Sequence, residues 1–144
     1  DIEILNPLLK HNHIKVFVDI EESIMVENFE NELTQAIINL ISNAKDALNE
    51  SAVVNKYIFI KVITESNHVL LTIKDNAGGI SSDVIDKIFE PYFTTKHKSQ
   101  GTGLGLFMTK KIIEESMHGS IDVINEEYIY ENKNYKGANF RLTL

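Results

Sequence analysis

Two rhythms of apolar residues alternate along the chain. Residues 14–19, IKVFVD, alternate apolar and polar side chains, the period of a strand with one buried face. From about Asn28 to Asn49 the period lengthens: Leu33, Ile37, Leu40, Ile41, Ala44, Ala47 and Leu48 recur at helical spacing. At ~100° per residue these positions fill one arc roughly 120° wide, which predicts an amphipathic helix seated on a core. YIFIKVIT (57–64) and HVLLTIKD (68–75) predict two strands joined by a short turn at Glu65, Ser66 and Asn67. DNAGG (75–79) is turn chemistry, and Ser81 or Ser82 is placed to cap a short helix running to about Ile88. The stretch from Phe89 to Gly101 reads as a loop. Leu104 to about Met117 predicts a second long helix, with Gly119 positioned to end it. SIDVIN (120–125) and ANFRLTL (138–144) predict closing strands, separated by an excursion rich in Asn, Glu and Tyr. The sum is an α+β chain: a two-layer α/β sandwich whose mixed, mostly antiparallel sheet carries its helices on one face.

Length and composition narrow what such a sandwich can do. A chain of 144 residues suits one domain with one core. A net charge of -7, with no stripe of Arg and aromatic residues, argues against a nucleic-acid partner. The absence of Cys excludes disulfides and thiolate metal sites. No apolar run approaches the ~18 residues of a membrane helix. The chain begins at Asp1 without Met, so it is expected to be a piece of something longer, with any membrane or sensing segment outside it.

Three local patterns carry chemistry. Asn39 and Asn43 are four apart on the first helix and share a face at the edge of its apolar arc. Their amide oxygens suit a hard cation such as Mg²⁺, which takes few protein ligands and completes its shell with waters and phosphates; they equally suit boundary residues bonding to backbone. Asp75 ends an apolar strand just before Asn76-Ala77-Gly78-Gly79. An ionised carboxylate only accepts hydrogen bonds, so it can take the exocyclic amine of an adenine, with Gly79 admitting the ring close to the backbone; alone, it reads first as a hairpin-turn residue. Gly101, Gly103 and Gly105 bare the backbone at the start of the second helix, where free N–H groups and the helix dipole favour phosphate. Their spacing fits neither a P-loop nor a dinucleotide fingerprint, since no Gly precedes a Lys-Ser/Thr pair and position 106 is Leu. Lys96 and Lys98 lie just upstream. Five of the seven glycines fall between 78 and 105, more than an ordinary loop needs.

The order of these patterns is more specific than any one of them. N-x-x-x-N on a helix, D-x-[GA]-x-G after a strand, F-x-P-[FY]-F, then G-x-G-x-G before a helix resembles the GHKL, or Bergerat-fold, nucleotide-binding superfamily. More narrowly, it resembles the catalytic and ATP-binding domain of a two-component sensor histidine kinase. NLISNAKDAL (39–48) is similar to that family's N box, DNAGGI (75–80) to its G1 box, IFEPYFTTK (88–96) to its F box and GTGLGL (101–106) to its G2 box. The resemblance covers essentially the whole chain, 1–144. It implies bound ATP and Mg²⁺ beneath a mobile lid at about Thr94 to Thr102. Asn43 would be the Mg²⁺ ligand with Asn39 assisting, and Asp75 the adenine partner. Gly79 and Gly103 would be the close-approach positions. Ala47, Ile80, Phe93, Lys96, Gly101, Thr102, Leu104, Gly105 and Leu106 would complete the ATP site. Two positions depart from the pattern: Ala77 replaces the first glycine of the G1 box, and Asp46 stands where a basic residue is common. Phosphate charge would then be met elsewhere, by Lys96.

Position 39 separates branches of the superfamily. Its ATPases, of the gyrase, mismatch-repair and chaperone types, carry a Glu there to activate water. Asn39 lacks that basic lone pair, and losing a general base typically costs ~10²–10⁴-fold. The resemblance therefore implies a kinase that saves the γ-phosphoryl for a histidine, with Asn39 and Lys96 assisting. None of His11, His13, His68, His97 or His118 lies in an acceptor-like context. The expected partners are the dimerisation and phosphoacceptor domain of the same full-length kinase, itself a homodimer, and a response-regulator receiver domain. Nucleic acid and membrane are not expected partners, and the expected location is cytoplasmic. An ATPase of the same fold and a pseudokinase docking module are the alternatives.

Overall fold

The computed structural model describes residues 13–21, 31–94 and 103–144. Strands β1 (Ile14–Ile20), β2 (Lys56–Glu65), β3 (His68–Asp75), β4 (Ser120–Tyr130) and β5 (Lys133–Thr143) form one sheet in the order β1-β2-β3-β5-β4. β1 runs parallel to β2 and the remaining pairs are antiparallel. Both tight hairpins turn on two residues with positive φ, Ser66 and Asn67 between β2 and β3, Glu131 and Asn132 between β4 and β5. That geometry matches the twist of the strands it joins, and Asn at the second position tolerates it well.

Helix α1 (Glu32–Glu50) buries Leu33, Ala36, Leu40, Ile41, Ala44 and Leu48. These pack against Ile58, Ile60, Leu71, Ile73, Phe140 and Leu142 on one face of the sheet. The apolar arc read from the sequence is therefore the buried one, with Ile37 only half-buried and Ala47 exposed at its edge. Residues 28–30, where the helix was expected to start, lie outside the described residues.

The second helix, α2, is α-helical over Gly105–Lys111 and widens into a π turn over Ile112–Ser116. It does not end on Gly119 as expected. His118 takes the left-handed conformation (φ 55) and the Gly119 N–H bonds to the Ile113 carbonyl at 2.8 Å, a Schellman-type closure one residue earlier. The expected short helix shrinks to one 3₁₀ turn, Ile85–Lys87. Ser81 starts it by accepting from the Val84 and Ile85 N–H groups, and Pro91 discourages helical backbone at Glu90.

The largest departure is at 126–137. The expected excursion is instead a continuous hairpin, because β4 and β5 pair from Ser120↔Thr143 to Tyr130↔Lys133. β3 pairs β5 only from Leu70↔Thr143 to Lys74↔Asn139, so the hairpin runs on past β3 as an arm. Its tyrosines lie on the helix-free face: Tyr130 meets Phe17 at 5.3 Å and Phe59 at 5.1 Å between ring centroids, and Tyr135 meets Tyr57 at 5.7 Å. Phe17 and Phe59 stack at 5.1 Å beneath them. Tilted and edge-on aromatic pairs each add ~0.5–1.5 kcal/mol beyond their burial, so this second cluster clamps the arm to the sheet.

Candidate functional site

The end of β3 and the turn after it carry the first part of the candidate site. Asp75 is 5% exposed, and its Oδ1 accepts hydrogen bonds from the Ala77 N–H (2.9 Å) and the Ala138 N–H (3.2 Å). Burial pushes its carboxyl upward from the ordinary range, and the two N–H donors partly offset that. Both bonds fall on Oδ1, so among the described residues Oδ2 carries no bond and remains available to a ligand's donor. Ala77, replacing a glycine of the family pattern, avoids positive φ. Asn76 is 3% exposed; it accepts from the Tyr57 N–H at 2.9 Å and donates to the Asn55 carbonyl at 2.6 Å, tying the turn to the start of β2.

Two glycines meet demands that only glycine satisfies. Gly79 has φ 88, and a Cβ there would lie 2.7 Å from the Asn125 Oδ1. Gly103 has φ 75, and its Cβ would lie 2.6 Å from the Tyr92 carbonyl oxygen. The Tyr92 N–H also bonds to the Gly103 carbonyl at 2.9 Å. The close approach at Gly103 is thus to the backbone of the FEPYF stretch, which joins the bases of the two segments flanking 95–102. Lys96, His97, Lys98, Gly101 and Thr102, and so most of the expected lid, lie outside the described residues. Gly105 opens α2 with open space where a side chain would be. Ile80, Phe93 and Leu106 are half-buried apolar residues packed on the core, and Leu104 is the residue from which α2 starts.

Asn39 joins the two helices. Its Nδ2 donates to the Thr109 Oγ1 at 3.3 Å, its Oδ1 accepts from the Gln35 Nε2 at 3.1 Å, and the fully buried Thr109 hydroxyl donates to the Gly105 carbonyl at 2.8 Å. One turn on, Asn43 is half-buried on the same stripe, followed by exposed Ala47. Asp46 pairs with its neighbour Lys45 at 3.3 Å, which offsets its charge. Among the described residues no group of three His, Cys, Asp or Glu side chains is placed to hold a metal. The oxygen donors on this stripe of α1 are the amides of Asn39 and Asn43, a set that fits Mg²⁺ carried in with a polyphosphate.

Sequence reasoning missed three residues that shape this site. Asn125 accepts from the Ile80 N–H at 2.8 Å and donates to the Ile80 carbonyl at 2.7 Å, pairing with it as a strand would. The Tyr128 hydroxyl donates to the Asp75 carbonyl at 2.7 Å; burial and the Asp75 charge push its phenol upward, so it stays a donor. Gly137 lies so close to Asp75 that an added Cβ would overlap the Asp75 carbonyl. Reading 126–137 as strand would have pointed to Tyr128 and Gly137; Asn125 ends the expected strand 120–125, and nothing local marks its partner. Gly137→Ala is expected to destabilise the chain by at least about 1–3 kcal/mol, the usual cost of overpacking, read as a drop of several degrees in Tm. An unchanged Tm would mean that β5 moves away from Asp75 without cost.

Among the described residues no helix is long and apolar enough to cross a membrane. The family described as "Histidine kinase-, DNA gyrase B-, and HSP90-like ATPase" matches residues 28–144. Sporulation kinase E of Bacillus subtilis (strain 168) is 34% identical over 144 residues, covering 99% of this chain and 18% of its own length. Sensor histidine kinase ZraS of Escherichia coli (strain K12) is 36% identical over 112 residues, 78% of this chain and 21% of its own. The chain thus spans about a fifth of these relatives. Among solved structures, a nucleotide-free form of the catalytic domain of histidine kinase ThkA superimposes with a TM-score of 0.78 at 29% identity, covering 99% of this chain and 86% of that one. The chain belongs to the histidine kinase-, DNA gyrase B- and HSP90-like ATPase family, as a catalytic domain of the sensor histidine kinase type.

Proposed function

We propose that this chain binds Mg·ATP and delivers the γ-phosphoryl group to a histidine on a separate dimerisation and phosphoacceptor domain, from which a response-regulator receiver domain takes it. Asp75 receives the adenine amine on Oδ2. Its Oδ1 is held by two backbone donors, one from the turn and one from β5, which sets the carboxylate's orientation. Asn43, with Asn39 assisting, holds the Mg²⁺ that travels with ATP; that ion neutralises charge on the phosphates. Gly103, Leu104 and Gly105 turn backbone N–H groups toward the phosphates, and Lys96 supplies charge from the lid. Ile80, Phe93 and Leu106 keep water from the base. The domain works on the cytoplasmic side, where ATP is found, within a homodimeric full-length kinase.

The observation that carries the kinase reading is Asn39. Its amide oxygen already accepts from Gln35 and its nitrogen is bound to Thr109, so no base stands ready to deprotonate water at this point of α1. The isolated chain is therefore expected to bind ATP, to release phosphate negligibly, and to leave itself unlabelled. Supplying the missing helical domain in trans should place acid-labile, base-stable phosphate on that partner. Incubation with γ-labelled ATP, with and without the partner, is the test. Rapid phosphate release by the chain alone would favour a true ATPase; failure to bind nucleotide at all would favour a docking module.

A further inference from the structure

We infer that the β4–β5 arm is a positioning device for the base end of the nucleotide site, and that Asn125 and Tyr128 set how well the site discriminates purines. The inference rests on the reading of Asp75 given above. Neither residue falls in the four motif stretches; both lie on the arm clamped by the aromatic cluster of the helix-free face.

Five hydrogen bonds run between this hairpin and residues 75–80. The Ala138 N–H reaches the Asp75 Oδ1, the Tyr128 hydroxyl reaches the Asp75 carbonyl, and the Gly78 N–H reaches the Lys136 carbonyl at 2.8 Å. Asn125 supplies the last two, taking the Ile80 N–H and giving to its carbonyl. Asn76 ties the front of the turn to β2, but its glycine half leans on the arm: Gly78 and Gly79 both have positive φ, and nothing lies within 4 Å of where a Cβ would stand at Gly78. Glycine-rich backbone samples many conformations unless tied. A carboxylate discriminates adenine from guanine only if its angle to the base is held, because a freed turn lets it swing off the guanine carbonyl it would otherwise oppose. The arm is itself held. Tyr128 packs edge-on to Phe59 at 5.8 Å and beneath the Lys74 ammonium at 4.0 Å, and Lys74 pairs with Glu126 at 2.8 Å. Position is thereby passed from the aromatic cluster to Asp75.

The test compares ADP and GDP binding by calorimetry in Mg²⁺-free buffer for the wild-type chain, Asn125→Ala and Tyr128→Phe. Tyr128→Phe keeps the ring in the cluster and removes only the hydroxyl, and Asn125 is exposed, so both variants should fold. Wild type should prefer ADP. Tyr128→Phe should lose about fivefold to tenfold of that preference, the equilibrium worth of one net hydrogen bond, and Asn125→Ala, which removes two, at least as much, chiefly through weaker ADP binding. A purely structural role would lower Tm and weaken both nucleotides alike; that result, or an undiminished preference, would overturn the inference while leaving the Asp75 reading intact. A wild-type chain with no preference for ADP would overturn both.

Discussion

Asp75→Ala should lower the affinity for ATP by roughly 10- to 100-fold, because a hydrogen bond to a charged group is worth about 1.5–3 kcal/mol. The lost partner is the adenine amine, so the loss should be specific to adenine nucleotides. GTP, which offers a carbonyl oxygen at that position, should bind the variant no worse than the wild type. Alanine is a cleaner change than asparagine, whose amide could rotate to present its oxygen. Burial already holds the Asp75 carboxyl above the ordinary range, so a donor on Oδ2 relieves an existing cost. Calorimetry with a non-hydrolysable ATP analogue, alongside a Tm for each protein, reads the outcome. Wild-type affinity in a folded variant would reduce Asp75 to a residue that organises the turn through Ala77 and Ala138.

The second large effect is on the cation. Asn43→Ala should remove most of the gain in nucleotide affinity that Mg²⁺ provides, at least about tenfold, because an oxygen ligand is lost from a site that has few. Affinity measured without Mg²⁺ should change little. Asn39→Ala should cost less of that Mg²⁺ dependence, as befits an assisting residue, and should also lower Tm, since the Asn39 amide bonds to Gln35 and to Thr109 on α2. Equal Mg²⁺ dependence in wild type and Asn43→Ala would place the ion elsewhere.

The amphipathic arc of α1, the strand β1, the β2–β3 hairpin and the turn at 75–79 were legible in the sequence by itself. Each depends on a local rule: the period of buried side chains, or the residues that tolerate positive φ. The four motif stretches were legible for the same reason, since they are contiguous. The arm at 126–137 was not. Its tyrosines pack on the helix-free face, against Phe17, Tyr57 and Phe59, which lie roughly 70 to 120 positions away along the chain, so no short window reveals their partner surface. Separation along the chain, 45 and 53 positions, also hid Asn125 and Tyr128, polar residues whose partners are backbone groups of Ile80 and Asp75. The contact of Gly103 with the Tyr92 backbone was likewise not written in the spacing of the glycines. The sequence by itself determined the helices, strands and motif stretches that the site is proposed to be built from, because these are written in residue type and spacing. Only the tertiary structure decided how rigidly they are held, because the restraint comes from a hairpin that must first fold across the sheet.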